Sequence, residues 1–174
     1  MRGKVEAYLR SFREATEADW RRMEEELVRR RLSWFRRHQA QLRCLGGDRL
    51  DSLERAYRVL LLKLGVSEGQ APIVERTASR LVFHSRNACP SLEACIQAGL
   101  DTRIVCKRVF ERPAAELVRC VDPALEFRRN YERIRPYCDF CEEIICQAGA
   151  GEEDRLRDGG RVLPRPPRSA EGSL

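Results

Sequence analysis

From Thr16 to Cys44 the apolar residues Trp20, Met23, Leu27, Val28, Leu32, Phe35 and Leu42 recur at helical spacing. Thr16 and Asp19 form a Thr-x-x-Asp start signal and Gly46-Gly47 closes the segment, so one long helix is predicted over 16–44. A shorter helix over 4–14 precedes it, with Tyr8 and Phe12 four residues apart. Leu50, Leu53, Tyr57, Leu60, Leu61 and Leu64 follow in steps of three and four, with Asp48 placed to cap this helix and Gly65 to end it.

After the polar turn Ser67–Pro72 the period changes. Ile73, Val74, Thr77, Leu81, Val82 and Phe83 favour extended structure over 73–85, with Leu81, Phe83 and Ser85 on one face and Val82 and His84 on the other. Cys89-Pro90 then opens a short helix that Gly99 closes. Asp101 or Thr102 caps another helix, carrying Cys106, Val109, Phe110, Leu117 and Val118 on one stripe, and Pro113 is expected to kink or divide it. Two strands finish the pattern. Leu125, Phe127, Arg129 and Tyr131 alternate with Glu126, Arg128 and Asn130, and residues 138–146 come after the Arg135-Pro136 turn.

This order predicts an α+β fold, with N-terminal helices packed with a small antiparallel sheet and two further helices. Three regions are expected: an N-terminal helical region over 1–45, a Cys-rich α+β core over 46–147, and a disordered tail over 148–174, where Gly and Pro replace core residues.

The N-terminus opens directly into charge, and the longest apolar run, Val59–Leu62, is far too short to span a bilayer. A cytoplasmic protein with no membrane partner is expected. Residues 1–43 hold twelve Arg or Lys against seven Asp or Glu, densest at Arg29–Arg37 around Trp34 and Phe35. Glu25 and Glu26 stand four residues before Arg29 and Arg30, the spacing of ion pairs along a helix. The run therefore reads as a solvated helix face rather than a nucleic-acid surface. The long charged N-terminal helix offers a surface for a homodimer.

Chemistry is concentrated in the cysteines, seven of the eight lying between Cys89 and Cys146. In a reducing compartment such a segment points to metal binding or catalysis more than to disulfides. Cys95 falls on the buried stripe of its helix and reads as a core residue. Cys89 precedes Pro90 at a helix N-terminus, where free N–H groups and the dipole favour a thiolate. Cys138-Asp139-Phe140-Cys141 is a Cys-x-x-Cys, a spacing at which two thiolates converge on one tetrahedral ion. The expected metal ligands are Cys89, Cys106, Cys138 and Cys141, with His84 as a possible substitute. Zinc is the expected ion, and an iron–sulfur cluster takes the same four thiolates.

Cys89 opening a helix, Ala98-Gly99-Leu100, Val105-Cys106, a polar strand with Arg128-Arg129 and then Tyr137-Cys138-Asp139-Phe140 stand in a telling order. In that order residues 89–141 resemble the L-2-amino-thiazoline-4-carboxylic acid hydrolase-like family. More loosely, they resemble small-molecule-binding domains of the 4-vinyl reductase type, which end in paired cysteines and can hold zinc. The first resemblance implies a thiol-dependent hydrolase of a cyclic C–N bond, with Cys89 as nucleophile assisted by Asp139 or His84. This chain departs from that pattern at Val109, where the family tends to carry an acid, at Arg133-Ile134-Arg135-Pro136, which replaces a glycine, and at the additional Cys141. The functional expectation is a metal-binding α+β domain, with a small-molecule ligand bound beside the metal and the hydrolase as alternative.

Overall fold

The computed structural model describes residues 1–43, 45 and 50–149. Helix α1 (Arg2–Phe12) leads into α2 (Glu17–Arg43), whose start is the expected capping box. The Thr16 backbone N–H donates to Asp19 Oδ2 (3.0 Å), and the Asp19 N–H donates back to Thr16 Oγ1 (3.3 Å). Helix α3 (Ser52–Leu64) begins later than expected, because Asp51 accepts the Glu54 N–H and takes the capping role. Asp48, Gly46-Gly47 and the tail from 150 onward lie outside the described residues. Gly65 ends α3 at φ 67°, the left-handed conformation that glycine adopts without strain.

The segment 73–85 is a hairpin rather than one strand. Strands β1 (Ile73–Arg76) and β2 (Arg80–Ser85) pair antiparallel around a turn that the Thr77 N–H closes onto the Arg80 carbonyl (2.8 Å). After α4 (Pro90–Ala98) comes a helical rod in three parts: α5 (Thr102–Val105), a π turn over Cys106–Phe110, and α6 (Glu111–Val121). Pro113 does not divide this rod. The widened turn just before it carries the irregularity, and there the Glu111 N–H reaches back to the Cys106 carbonyl. Strands β3 (Leu125–Arg129) and β4 (Cys141–Gln147) complete a four-stranded antiparallel sheet of order β1-β2-β4-β3. The last strand starts at Cys141 and not at Cys138, since residues 134–140 are spent on turns, one closed by the Tyr137 N–H on the Ile134 carbonyl (3.0 Å).

The fold is α+β. Helices α3 and α6 pack against one face of the sheet. Leu53, Tyr57, Leu60, Leu117 and Val118 meet Leu81, Phe83, Leu125, Phe127 and Ile145 there, all essentially buried. The Tyr57 hydroxyl, which would be costly to bury bare, donates to the Ala71 carbonyl (2.7 Å). A second apolar cluster joins α1, α4 and α5 through Val5, Phe12, Ala94, Cys95 and Val105. Cys95 is fully buried, as its position on the helix stripe leads one to expect. No helix among the described residues is long and apolar enough to cross a membrane.

Gly65 has open space where a Cβ would stand, so substitution there isolates the backbone term. Gly65→Ala should cost about 1–2 kcal/mol from left-handed strain alone, read as a lowered urea midpoint with an unchanged m-value.

Candidate functional site

The inner face of the sheet changes character along its length. Leu81, Phe83, Ile145, Leu125 and Phe127 form its apolar part, while Ser85, Cys141, Glu143 and Arg129 occupy the far end in the same alternation. The register sets Glu143 beside Phe83 on one side and Arg129 on the other, and Ser85 beside Cys141. A polar group in this phase is carried under the helices and must be satisfied there.

Glu143 is the hub. Ser85 Oγ donates to its Oε2 (3.0 Å), and Arg129 donates to Oε1 from Nε (3.1 Å) and from Nη2. Its side chain and that of Arg129 are 7% and 11% exposed, so this ion pair is withdrawn from water. Burial works against the Arg129 charge, but Glu143, with Cys106 and Tyr131 adding to its effect, holds the guanidinium above its ordinary pKa.

A second guanidinium comes from α2. Arg31 is buried, 8% exposed, and its pKa is pushed down to about 10, first by burial and then by the charge of Arg129, with Glu143 opposing. Nη1 of Arg31 and Nη1 of Arg129 have no hydrogen-bond partner among the described residues. The π turn adds Cys106, whose thiol burial pushes up to about 12, with Arg129 opposing and Cys89, Cys141 and Glu143 adding to the rise. Tyr8 of α1 is raised by burial and by Cys89, and Tyr131 is raised mainly by burial, its hydroxyl donating to Glu111. Cys89 occupies the N-cap position of α4 in extended backbone, without a cap bond from its side chain; its Sγ lies 3.2 Å from Ser91 Oγ.

Of the four expected ligands, Cys89 and Cys141 both act on the Cys106 thiol at this end of the molecule. Cys138 does not join them: its thiol donates to the Phe140 carbonyl of its own loop (2.9 Å). His84 lies on the other face of the sheet, paired in register with Glu142. Its Nε2 is 3.1 Å from Glu142 Oε2, and its ring stacks on Phe140 at 3.7 Å between centroids. Glu142 also accepts from Arg133 Nη1 (2.6 Å) and Asn130 Nδ2 (2.9 Å). Asp139 is exposed in the loop. Among the described residues no three His, Cys, Asp or Glu side chains are grouped so as to hold a metal ion. The four thiolates expected from the sequence are thus not gathered at one point in this structure, Cys138 keeping to its own loop.

Two surface clefts, of about 320 and 240 Å³, lie elsewhere, one beside Phe12, Trp20 and Ile104 and the other beside Phe35, Val59 and Cys120. Neither is lined by a residue of the buried cluster. The cluster is the stronger candidate, because its groups are desolvated and incompletely paired whereas the clefts are largely apolar or rimmed by solvated charges. Sequence reasoning missed Arg31, Ser85, Arg129 and Glu143 as site residues. The available signal was Arg129 standing in phase with Leu125 and Phe127, a charge where the alternation calls for a core residue.

Compared with known proteins, the chain matches no family model, no curated protein and no solved structure.

The cluster yields two expected outcomes. Glu143→Gln removes the charge that balances Arg129 and should cost about 3–5 kcal/mol, whereas Cys138→Ser should stay within about 0.5 kcal/mol, both by urea unfolding. The pH dependence has a definite sign. Cys95 and Cys106 are raised to about 12 in the fold, while an unfolded thiol ionises near 8.5. Their contribution is complete below the unfolded value and is lost as pH rises toward the folded one. Arg31, depressed to about 10, acts in the opposite sense above that pH. Stability should therefore fall most steeply between about pH 9 and 10, and Cys106→Ala should flatten that fall in a urea-midpoint series.

Proposed function

We propose that this domain binds a small molecule at the polar end of its inner sheet face, beneath α2 and beside the thiols of Cys89, Cys106 and Cys141. The observation that carries this reading is two buried guanidinium groups, Arg129 paired with Glu143 and Arg31 of α2, each with an Nη1 that has no hydrogen-bond partner among the described residues. A purely structural core would gain by replacing such charges with apolar side chains of similar volume. Desolvated groups with spare donors are what a ligand site supplies, a few polar atoms fixing orientation in an otherwise apolar surround.

The surrounding groups favour binding over thiol chemistry. Burial raises the Cys106 thiol, which lowers its thiolate fraction and with it its reactivity as a nucleophile. His84 and Asp139, the assistants implied by the hydrolase resemblance, stand away from the cluster, on the opposite sheet face and in an exposed loop. Cys89 stands at the N-cap position of α4 with its thiol against Ser91 Oγ, at the edge of the site, and serves as its reporter.

Alkylation supplies the test. A small-molecule set is screened for compounds that raise the Tm of the full chain, and the rate at which iodoacetamide modifies Cys89 is then followed by peptide mass spectrometry. A bound compound at tenfold excess over Kd should slow that rate about tenfold. Stoichiometric zinc or iron in the purified protein, lost on replacing Cys89 and Cys141, would overturn the reading in favour of a metal centre. Turnover of a cyclic C–N substrate abolished by Cys89→Ser would overturn it in favour of the hydrolase.

A further inference from the structure

The larger of the two clefts, about 320 Å³, opens where the turn between α1 and α2 faces the start of the helical rod. Its apolar walls are Phe12, Trp20, Leu100, Ile104 and Val105. Phe12 and Trp20 brace each other, with ring centroids 5.3 Å apart. Ile104 is 56% exposed, apolar surface that a ligand would withdraw from water. The volume stands at the small end of ligand pockets, with room for one ring and a short arm.

Three charged side chains line the same cleft, Glu14, Asp101 and Arg108, two acids against one base. The base is already engaged. Arg108 pairs with Glu17, and its guanidinium carbon lies 6.0 Å from the centre of the Trp20 ring. Asp101 is engaged too, accepting from Arg103 Nε at Oδ1 (3.0 Å) and from Arg103 Nη2 at Oδ2 (2.6 Å). Arg103 also lies over the Tyr137 ring (4.4 Å), while Arg13 and Arg21 do not line the cleft. Glu14 is exposed and has no hydrogen bond or ion pair among the described residues. Its backbone stands at φ 58°, the one non-glycine residue among them with a positive φ. An L side chain is disfavoured in that region, and such strain gathers where a side chain is put to use. An anion entering here would meet two carboxylates and a guanidinium that Glu17 already holds.

We propose that this cleft binds a small primary amine as its ammonium ion, with a single-ring body against Trp20 and Ile104 and the charge turned to Glu14. The site is separate from the one at the polar end of the sheet and does not rest on it. Burial of the ring supplies most of the affinity. The carboxylate sets the preferred sign of charge, adding about two- to fivefold, as an exposed ion pair does.

Trp20 reports on its own cleft. It and Trp34 are the only tryptophans, so Trp34→Phe in the full chain isolates its fluorescence, and the Tm of the unaltered chain is a second readout. The probes, at pH 7 and matched ionic strength, are benzylamine, benzyl alcohol as its neutral isostere, benzoate as the anion and methylamine as the bare ammonium. Benzylamine should change Trp20 emission saturably and raise Tm. Benzyl alcohol should bind about two- to fivefold more weakly, and benzoate more weakly again. Glu14→Gln should bring benzylamine to the level of benzyl alcohol and leave the alcohol unchanged. Ile104→Ala, at an exposed position, should weaken all the ring probes alike. Benzoate binding as tightly as benzylamine overturns the charge assignment, and methylamine doing so overturns the apolar body. No saturable response in either readout to any probe overturns the site. Benzylamine should leave the alkylation rate of Cys89 unchanged; a slowed rate with unmoved Trp20 emission would place the amine at the sheet end and overturn this inference while leaving the other site standing.

Discussion

The contact between Glu143 and Arg129, completed by the Ser85 hydroxyl, is the constraint around which this chain is built. Moving either charge out of water costs several kcal/mol, and the pair is tolerable because the geometry is good and both carboxylate oxygens are occupied. It joins β2, β3 and β4 at one end of the sheet, and the parts gathered around it depend on its placement. Arg31 of α2 and Cys106 of the π turn both feel its field.

The apolar end of the same face provides the rigidity that the polar end requires. Leu81, Phe83, Ile145, Leu125 and Phe127 are locked against α3 and α6, so the three strands leave the core with their direction already set. The side chains beyond them then stand at fixed alternation rather than on mobile loops, which is how a scaffold holds polar groups close to one geometry. The π turn belongs to this design. One extra residue in a helical turn rotates α5 relative to α6, so Cys106 is presented to the polar end while Val109 remains in the core.

Much of this was legible in the sequence. Helices α2 and α3 announce themselves by spacing and caps, because local hydrogen bonds such as those of Thr16 and Asp19 need no distant partner. Gly65 and Gly99 mark helix ends through a backbone preference that is equally local. The hairpin over 73–85 was hidden because Val74 to Val82 carries strand-forming residues on both sides of a turn that lacks glycine and proline. The separation of Cys138 from Cys141 was hidden for a related reason. Spacing brings Cys138 and Cys141 within three residues, but the turns before β4 take the first thiol to its own loop and leave the second at the start of a strand. Arg31, Arg129 and Glu143 come together through pairings between residues far apart along the chain, and no local pattern encodes that.

Glu142 and Glu143 are neighbours in the chain and belong to opposite sides of the sheet. Glu142 is held outside by His84, Arg133 and Asn130, and Glu143 inside by Ser85 and Arg129. Sliding β4 by one residue against β2 and β3 would exchange the two carboxylates and break both sets of bonds at once, besides turning Ile145 away from the core. The paired acids therefore act as a two-sided latch against strand slippage. An insertion or deletion within β4 should be tolerated far less well than one in the loop between β3 and β4.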